Sequence, residues 1–196
     1  MRRALLASAV VCLIAACDTV RDQTASIDYV PASTTAVVPG AQNVTVSVVA
    51  VDKRSGAKNQ LSVKKGVAAA IVYAGNDVID VVRSAVEREL KAQGFVIGAG
   101  GFTLTVDVEN FYSDFRANAS MFMNANGDVS LSLRVRDAAG ATRYRQHYQG
   151  VSQLGPVYNE SAEKVKTTLE QALASAVDQI TADKVLQASL LSTRAP

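Results

Sequence analysis

Cys17 is the residue whose setting most clearly points to chemistry. It follows Leu13-Ile14-Ala15-Ala16, and upstream lie Arg2-Arg3 and an uncharged apolar run from Ala4 to Ala16. A basic start, a 13-residue apolar stretch and small residues before the cysteine describe a signal peptide over residues 1–16, too short to span a bilayer. Cysteine in this setting fits the bacterial lipobox. Its thiol takes a diacylglycerol, and cleavage makes Cys17 the new amino terminus. Two acyl chains anchor stably where a single one does so only marginally, so the expected partner is a membrane, reached through the N-terminal lipid.

The other chemistry-bearing types are thinly spread. His147 is the single histidine, and with Cys12 leaving in the signal and Cys17 lipidated, no Cys/His metal set remains. Ser113 and Ser152 lack a nucleophile-elbow setting. Gly98-Ala99-Gly100-Gly101 precedes a strand, whereas a dinucleotide loop opens a helix; it reads as a turn. Asp107 and Glu109 share one strand face without a pocket, which describes a solvated pair. The sequence therefore offers no catalytic residue, no metal site and no cofactor.

Charge narrows the partners. The chain carries 20 Lys+Arg against 18 Asp+Glu, and loss of Arg2 and Arg3 with the signal leaves them equal. A neutral domain has no electrostatic footprint for nucleic acid. No disulfide is available, so stability rests on packing.

Residues 17–42 read as a lipidated flexible tether holding Pro31 and Pro39, with apolar islands at Ile27–Val30 and Ala36–Val38 that are able to dock. Fully extended, about 25 residues reach on the order of 80 Å. A single globular domain follows over 43–192. Val44, Val46 and Val48 alternate with Thr45 and Ser47 as a strand. Asp77 caps a helix with a stripe of Val78, Val81, Val82, Ala85, Val86 and Leu90, a Glu87–Lys91 pair on its wet face, and a stop at Gly94. Alternation over 102–109 and 129–136 predicts half-exposed antiparallel strands, and Asn126-Gly127 reads as a hairpin turn. A long helix from about Asn159 breaks at Thr181 and resumes over 185–191. One-sided helices and a one-sided sheet predict an α+β, two-layer sandwich: a mostly antiparallel sheet with two helices packed on one face.

Two surfaces stand out. Phe111, Tyr112, Phe115, Met121, Phe122 and Met123 cluster as an apolar end-of-sheet mini-core or as an exposed lip for a partner. Arg134, Arg136, Arg143 and Arg145 point outward if Val135 and Tyr144 point inward. One hairpin register sets Arg134 opposite Arg143. The other sets Arg136 opposite Arg143 and Arg134 opposite Arg145. Both place like charges across from each other, so the face is neutralised by Asp107 and Glu109 or meets an anionic partner.

The order of elements carries a resemblance. A lipobox, a Pro-containing tether, Val44–Val48 with Asp52-Lys53-Arg54, the Asp77–Gln93 helix closing on Gly94-Phe95-Val96-Ile97-Gly98, Leu104-Thr105-Val106 with Tyr112, Tyr144–Gly150, and the Thr168–Ile180 helix with Asp183 resemble the YajG family of bacterial lipoproteins. That resemblance implies a periplasm-facing outer-membrane lipoprotein and supplies no catalytic residues. Asp18 departs from the pattern, since aspartate after the lipidated cysteine retains enteric lipoproteins in the inner membrane. The expected function is a non-enzymatic accessory or interaction module in envelope maintenance, with an envelope protein, lipid or glycan as partner. The alternative is a lipid- or glycan-binding carrier or chaperone using a groove near Phe111–Met123.

Overall fold

The computed structural model describes residues 22–63, 70–117 and 122–192. The signal, Cys17, Asp18 and Met121 lie outside the described residues. The chain first forms β1 (Gln23–Ala25), β2 (Thr45–Asp52), β3 (Gln60–Val63), β4 (Ile71–Ala74) and α1 (Val78–Ala92). It continues through β5 (Val96–Ile97), β6 (Phe102–Ala117), β7 (Met123–Arg136), β8 (Thr142–Val157), α2 (Ala162–Ala182) and α3 (Lys184–Leu191).

The larger sheet has the order β5-β2-β6-β7-β8, and β1-β4-β3 form a second. In the larger sheet β2 runs parallel to both β5 and β6, while β6–β7 and β7–β8 are antiparallel. The second sheet is mixed as well. This corrects the expected mostly antiparallel sheet. Between β2 and β6 the chain passes through α1, and a helical crossover returns it in its original direction, whereas a tight hairpin reverses it.

The helices arise where the spacing predicts. The Asp77 carboxylate accepts the Ile79 N–H at 2.8 Å, Val78, Val82, Ala85, Val86 and Leu90 are buried, and Gly94 follows at φ 98°. On the wet face Glu87 pairs with Arg83 at 3.2 Å, and Asp80 with the same guanidinium at 3.0 Å; the expected Glu87–Lys91 pair does not form. The break between α2 and α3 falls at Asp183 rather than Thr181. Its Oδ1 accepts the N–H groups of Val185 at 2.8 Å and Leu186 at 3.0 Å, whereas the Thr181 hydroxyl donates back to the Asp178 carbonyl.

α2 lies along β7 and β8, α1 lies against β2, and the two helices touch. Val46, Leu104, Val106, Leu131, Leu133 and Val135 are fully buried with Leu169, Leu173 and Val177 of α2 in one core. Gly127 and Gly150 set how closely α2 approaches. A Cβ on Gly127 would lie 2.5 Å from the Thr168 carbonyl oxygen, and one on Gly150 1.9 Å from that of Ala172. Gly127 is therefore not a hairpin-turn residue. It sits inside β7, opposite Ser113 and Ser152, because helix backbone occupies the place of its side chain.

Much of the segment expected as a tether is docked. β1 pairs with β4, Ile27 and Ala41 are fully buried, and Val38 is nearly so. The Asn76 side chain brackets Ile27, accepting its N–H at 2.9 Å and donating to its carbonyl at 2.7 Å. Polar composition over 31–36 conceals these few anchoring residues.

Candidate functional site

The strand pattern that buries Val129, Leu131, Leu133 and Val135 turns Ser130, Ser132, Arg134 and Arg136 to the opposite face. β6 adds Thr103, Thr105 and Asp107 there, and β8 adds Arg145, His147 and Gln149. This open face is the principal candidate surface.

At the hairpin end, Arg134 stands opposite Arg145, as in one of the two expected registers. An irregularity between Val135 and Arg136 then places Thr142 opposite Arg136, so Arg143 faces neither Arg134 nor Arg136. Arg143 instead bonds Asp137 at 2.6 Å, and this hydrogen bond holds the Asp137 carboxyl below the usual carboxylate range. Arg134 reaches Asp107 at 3.3 Å. Arg136 and Arg145 are exposed and have no ion pair among the described residues.

His147 Nδ1 lies 3.3 Å from Glu109 Oε2 and 3.3 Å from Ser132 Oγ. A triad base bonds its nucleophile through one ring nitrogen and its carboxylate through the other. Here both partners crowd the same nitrogen, and His147 and Glu109 are about half exposed. Asp107 and Glu109 thus belong to different partners rather than to each other. The glycines from 98 to 101 lead directly into β6, and a Cβ on Gly101 would lie 2.0 Å from the Thr45 carbonyl oxygen. Gly100, at φ 94° with open space around it, turns the chain, and Gly101 makes the close strand approach, with no helix N-terminus beyond them.

The expected apolar lip is divided. Phe111 is core, at 1% exposure, and Phe115 packs against that core. Tyr112 sits on the opposite face, where its hydroxyl accepts the Val63 N–H at 3.0 Å. Phe122 meets Tyr158 edge-on at 5.1 Å, and Met123 opens β7 half-buried. Strand alternation separates these neighbours, since β6 runs through Ser113 and Asp114 as far as Ala117.

Two features escape sequence reasoning. Tyr144 and Tyr148 donate to Asp183 Oδ2 at 2.5 and 2.8 Å, while the other carboxylate oxygen caps α3. Burial raises the Asp183 pKa, but hydrogen bonds from Tyr144, the Leu186 N–H, Tyr148 and the Val185 N–H together hold it below the usual range. Burial, reinforced by the Asp183 hydrogen bond, pushes Tyr144 up to about 12, and burial raises Tyr148 further. The i,i+4 tyrosines were visible in sequence, but their partner lies 35 residues on. The second feature is a cavity of about 1000 Å³ between residues 30–39 and α2, lined by Val30, Pro31, Val37, Gln171, Ala174 and Asp178 among others. It exists only because the presumed tether docks.

A family model described as an uncharacterized lipoprotein matches residues 31–190. The chain belongs to that family. The resemblance carried by the order of elements is thereby shown, and the family places this lipoprotein at a membrane of the cell envelope. No described helix is long and apolar enough to cross a membrane. Among solved structures, a Xanthomonas campestris protein is similar at TM-score 0.57 and 14% identity, covering 86% of this chain and 96% of its own. An uncharacterized protein is similar at TM-score 0.50 and 16% identity, covering 81% and 97%. At these identities the likeness is one of fold. A minor lipoprotein from Acinetobacter baumannii also matches, at TM-score 0.48 and 8% identity over 73% of this chain and 91% of its own. No curated protein matches the sequence.

Proposed function

We propose that this lipoprotein is a non-enzymatic accessory module of the cell envelope. A diacylglyceryl Cys17, exposed by removal of residues 1–16, holds it at the outer membrane, facing the periplasm. It engages an anionic envelope partner through the hairpin end of its open sheet face. The observation that carries this reading is the state of Arg136 and Arg145. They lie on neighbouring strands, exposed and without ion pairs among the described residues, while Arg134 and Arg143 beside them are each matched to an aspartate. Unmatched guanidinium groups on a flat surface suit carboxylate or phosphate groups, which they bind by paired N–H donors.

The test has two arms. Cys17→Ser should abolish acylation and leave an unprocessed precursor or soluble protein. Wild-type protein free in the periplasm, with an amino terminus other than Cys17, overturns the anchor. Cross-linked capture from cells should recover an acidic partner with the wild type and lose it with Arg136→Glu/Arg145→Glu, with recovery declining as salt rises. A double variant that retains every wild-type interactor overturns the role of the face.

A further inference from the structure

The other end of the open face has different chemistry. Beyond the irregularity in β6 near Glu109, the ladder brings Asp114, Asn126 and Gln153 into one cross-strand row, and Tyr112, Asp128 and Val151 into the next. Neighbouring strands stand about 4.8 Å apart, so each row presents its polar groups at close, regular intervals. Together with Asn110 these residues line a concavity of about 450 Å³.

We propose that this concavity is a glycan-binding site. Planar carboxylate and amide groups accept and donate side by side, which lets one group span two neighbouring sugar hydroxyls or an N-acetyl amide. Existing bonds orient these groups and leave part of their capacity open. Gln153 Nε2 donates to Asn126 Oδ1 at 3.1 Å, and Gln149 Nε2 donates to Asp128 Oδ1 at 3.1 Å. Arg116 holds one Asp114 oxygen at 2.7 Å. Among the described residues Asp128 Oδ2, Asp114 Oδ1 and Gln153 Oε1 remain as acceptors and the Asn110 amide makes no hydrogen bond. Tyr112, half-buried and held through its hydroxyl by Val63, offers a fixed aromatic ring to the apolar C–H face of a sugar. Lipid is the poorer occupant, because an acyl chain would take water from Asp114, Asn126, Asp128 and Gln153 without offering any of them a partner.

The test uses the mature acylated protein in detergent micelles, titrated by calorimetry with chitotetraose, cellotetraose and maltotetraose. At least one should bind, and Asn126→Ala and Asp128→Ala should each weaken it about tenfold while Arg136→Glu leaves it unchanged. Melting curves establish that the variants are folded, and Gln153→Ala on the exposed edge strand replaces any that is not. Failure of all three sugars to bind overturns the proposal, as does binding that folded variants leave unaltered. Because Arg136 and Arg145 lie outside this concavity, either outcome is separable from the fate of the anionic-partner reading.

Discussion

The two faces of the five-stranded sheet are built from the same three long strands and obey opposite rules. On the covered face the helices decide what fits: apolar side chains fill the interface with α1 and α2, and where the α2 backbone comes closest only Gly127 and Gly150 fit. On the open face the same strands carry arginines at one end and amides and carboxylates at the other, tied by bonds that water can replace. Stability therefore resides on one side, and recognition has freedom to vary on the other.

The sharpest way to break this contrast is to charge the covered face. Leu169→Asp or Val82→Asp places an unpaired carboxylate among fully buried side chains, at a cost on the order of 4 kcal/mol, or roughly 10 °C in melting temperature. Gly150→Val should also destabilise the fold by about 1–3 kcal/mol, since α2 must move to admit the side chain. Any of these three variants melting within a degree or two of wild type would show that the face is not packed as described.

A smaller effect is expected at the rim, where Asp183 ties α3 to β8. Its folded pKa is depressed, so its contribution is full above the unfolded value of about 3.9 and is lost as pH falls through the lower folded value. Asp183→Asn should remove about 1–2 kcal/mol at neutral pH and flatten that acid limb in chemical denaturation. The tyrosines act in the opposite sense. The Tyr144 pKa is raised to about 12, so its contribution is complete below the unfolded value near 10 and fades as pH climbs through 12. Tyr144→Phe should blunt that alkaline loss. The smallest effect belongs to the open face: Arg136→Glu/Arg145→Glu should change stability by no more than about 0.5 kcal/mol while altering what the protein captures. A large loss of stability there would erase the distinction between the faces.

How legible these features were in the sequence follows from the range of the forces that create them. α1 was legible because its cap, stripe and stop all lie within one run from Asp77 to Gly94. The alternation of β6 and β7 showed which side chains turn outward. Asn126-Gly127 misled because a glycine required by a helix some 40 residues later looks, locally, like one required by a turn. Arg143 was misplaced for a related reason, since a strand irregularity shifts one residue without any mark in composition. Of the glycan candidate only the neighbourhood, near Phe111–Met123, was legible: Asp114, Asn126 and Gln153 are ordinary polar strand residues until the ladder aligns them.

Docking of the N-terminal segment limits how far the domain can travel. Asp22 already accepts the Ile71 N–H at 3.0 Å, and β1 begins at the next residue. From a lipid on Cys17, as proposed, five peptide units remain, spanning at most about 18 Å. The domain is then moored within a few molecular layers of its leaflet, instead of ranging across the 80 Å that a free 17–42 segment would allow. A short mooring concentrates the open face where headgroups and membrane-proximal polymers lie, so weak individual contacts can be held by proximity. Inserting a flexible Gly-Ser spacer between Cys17 and Asp22 would lengthen that mooring while leaving both faces of the sheet untouched.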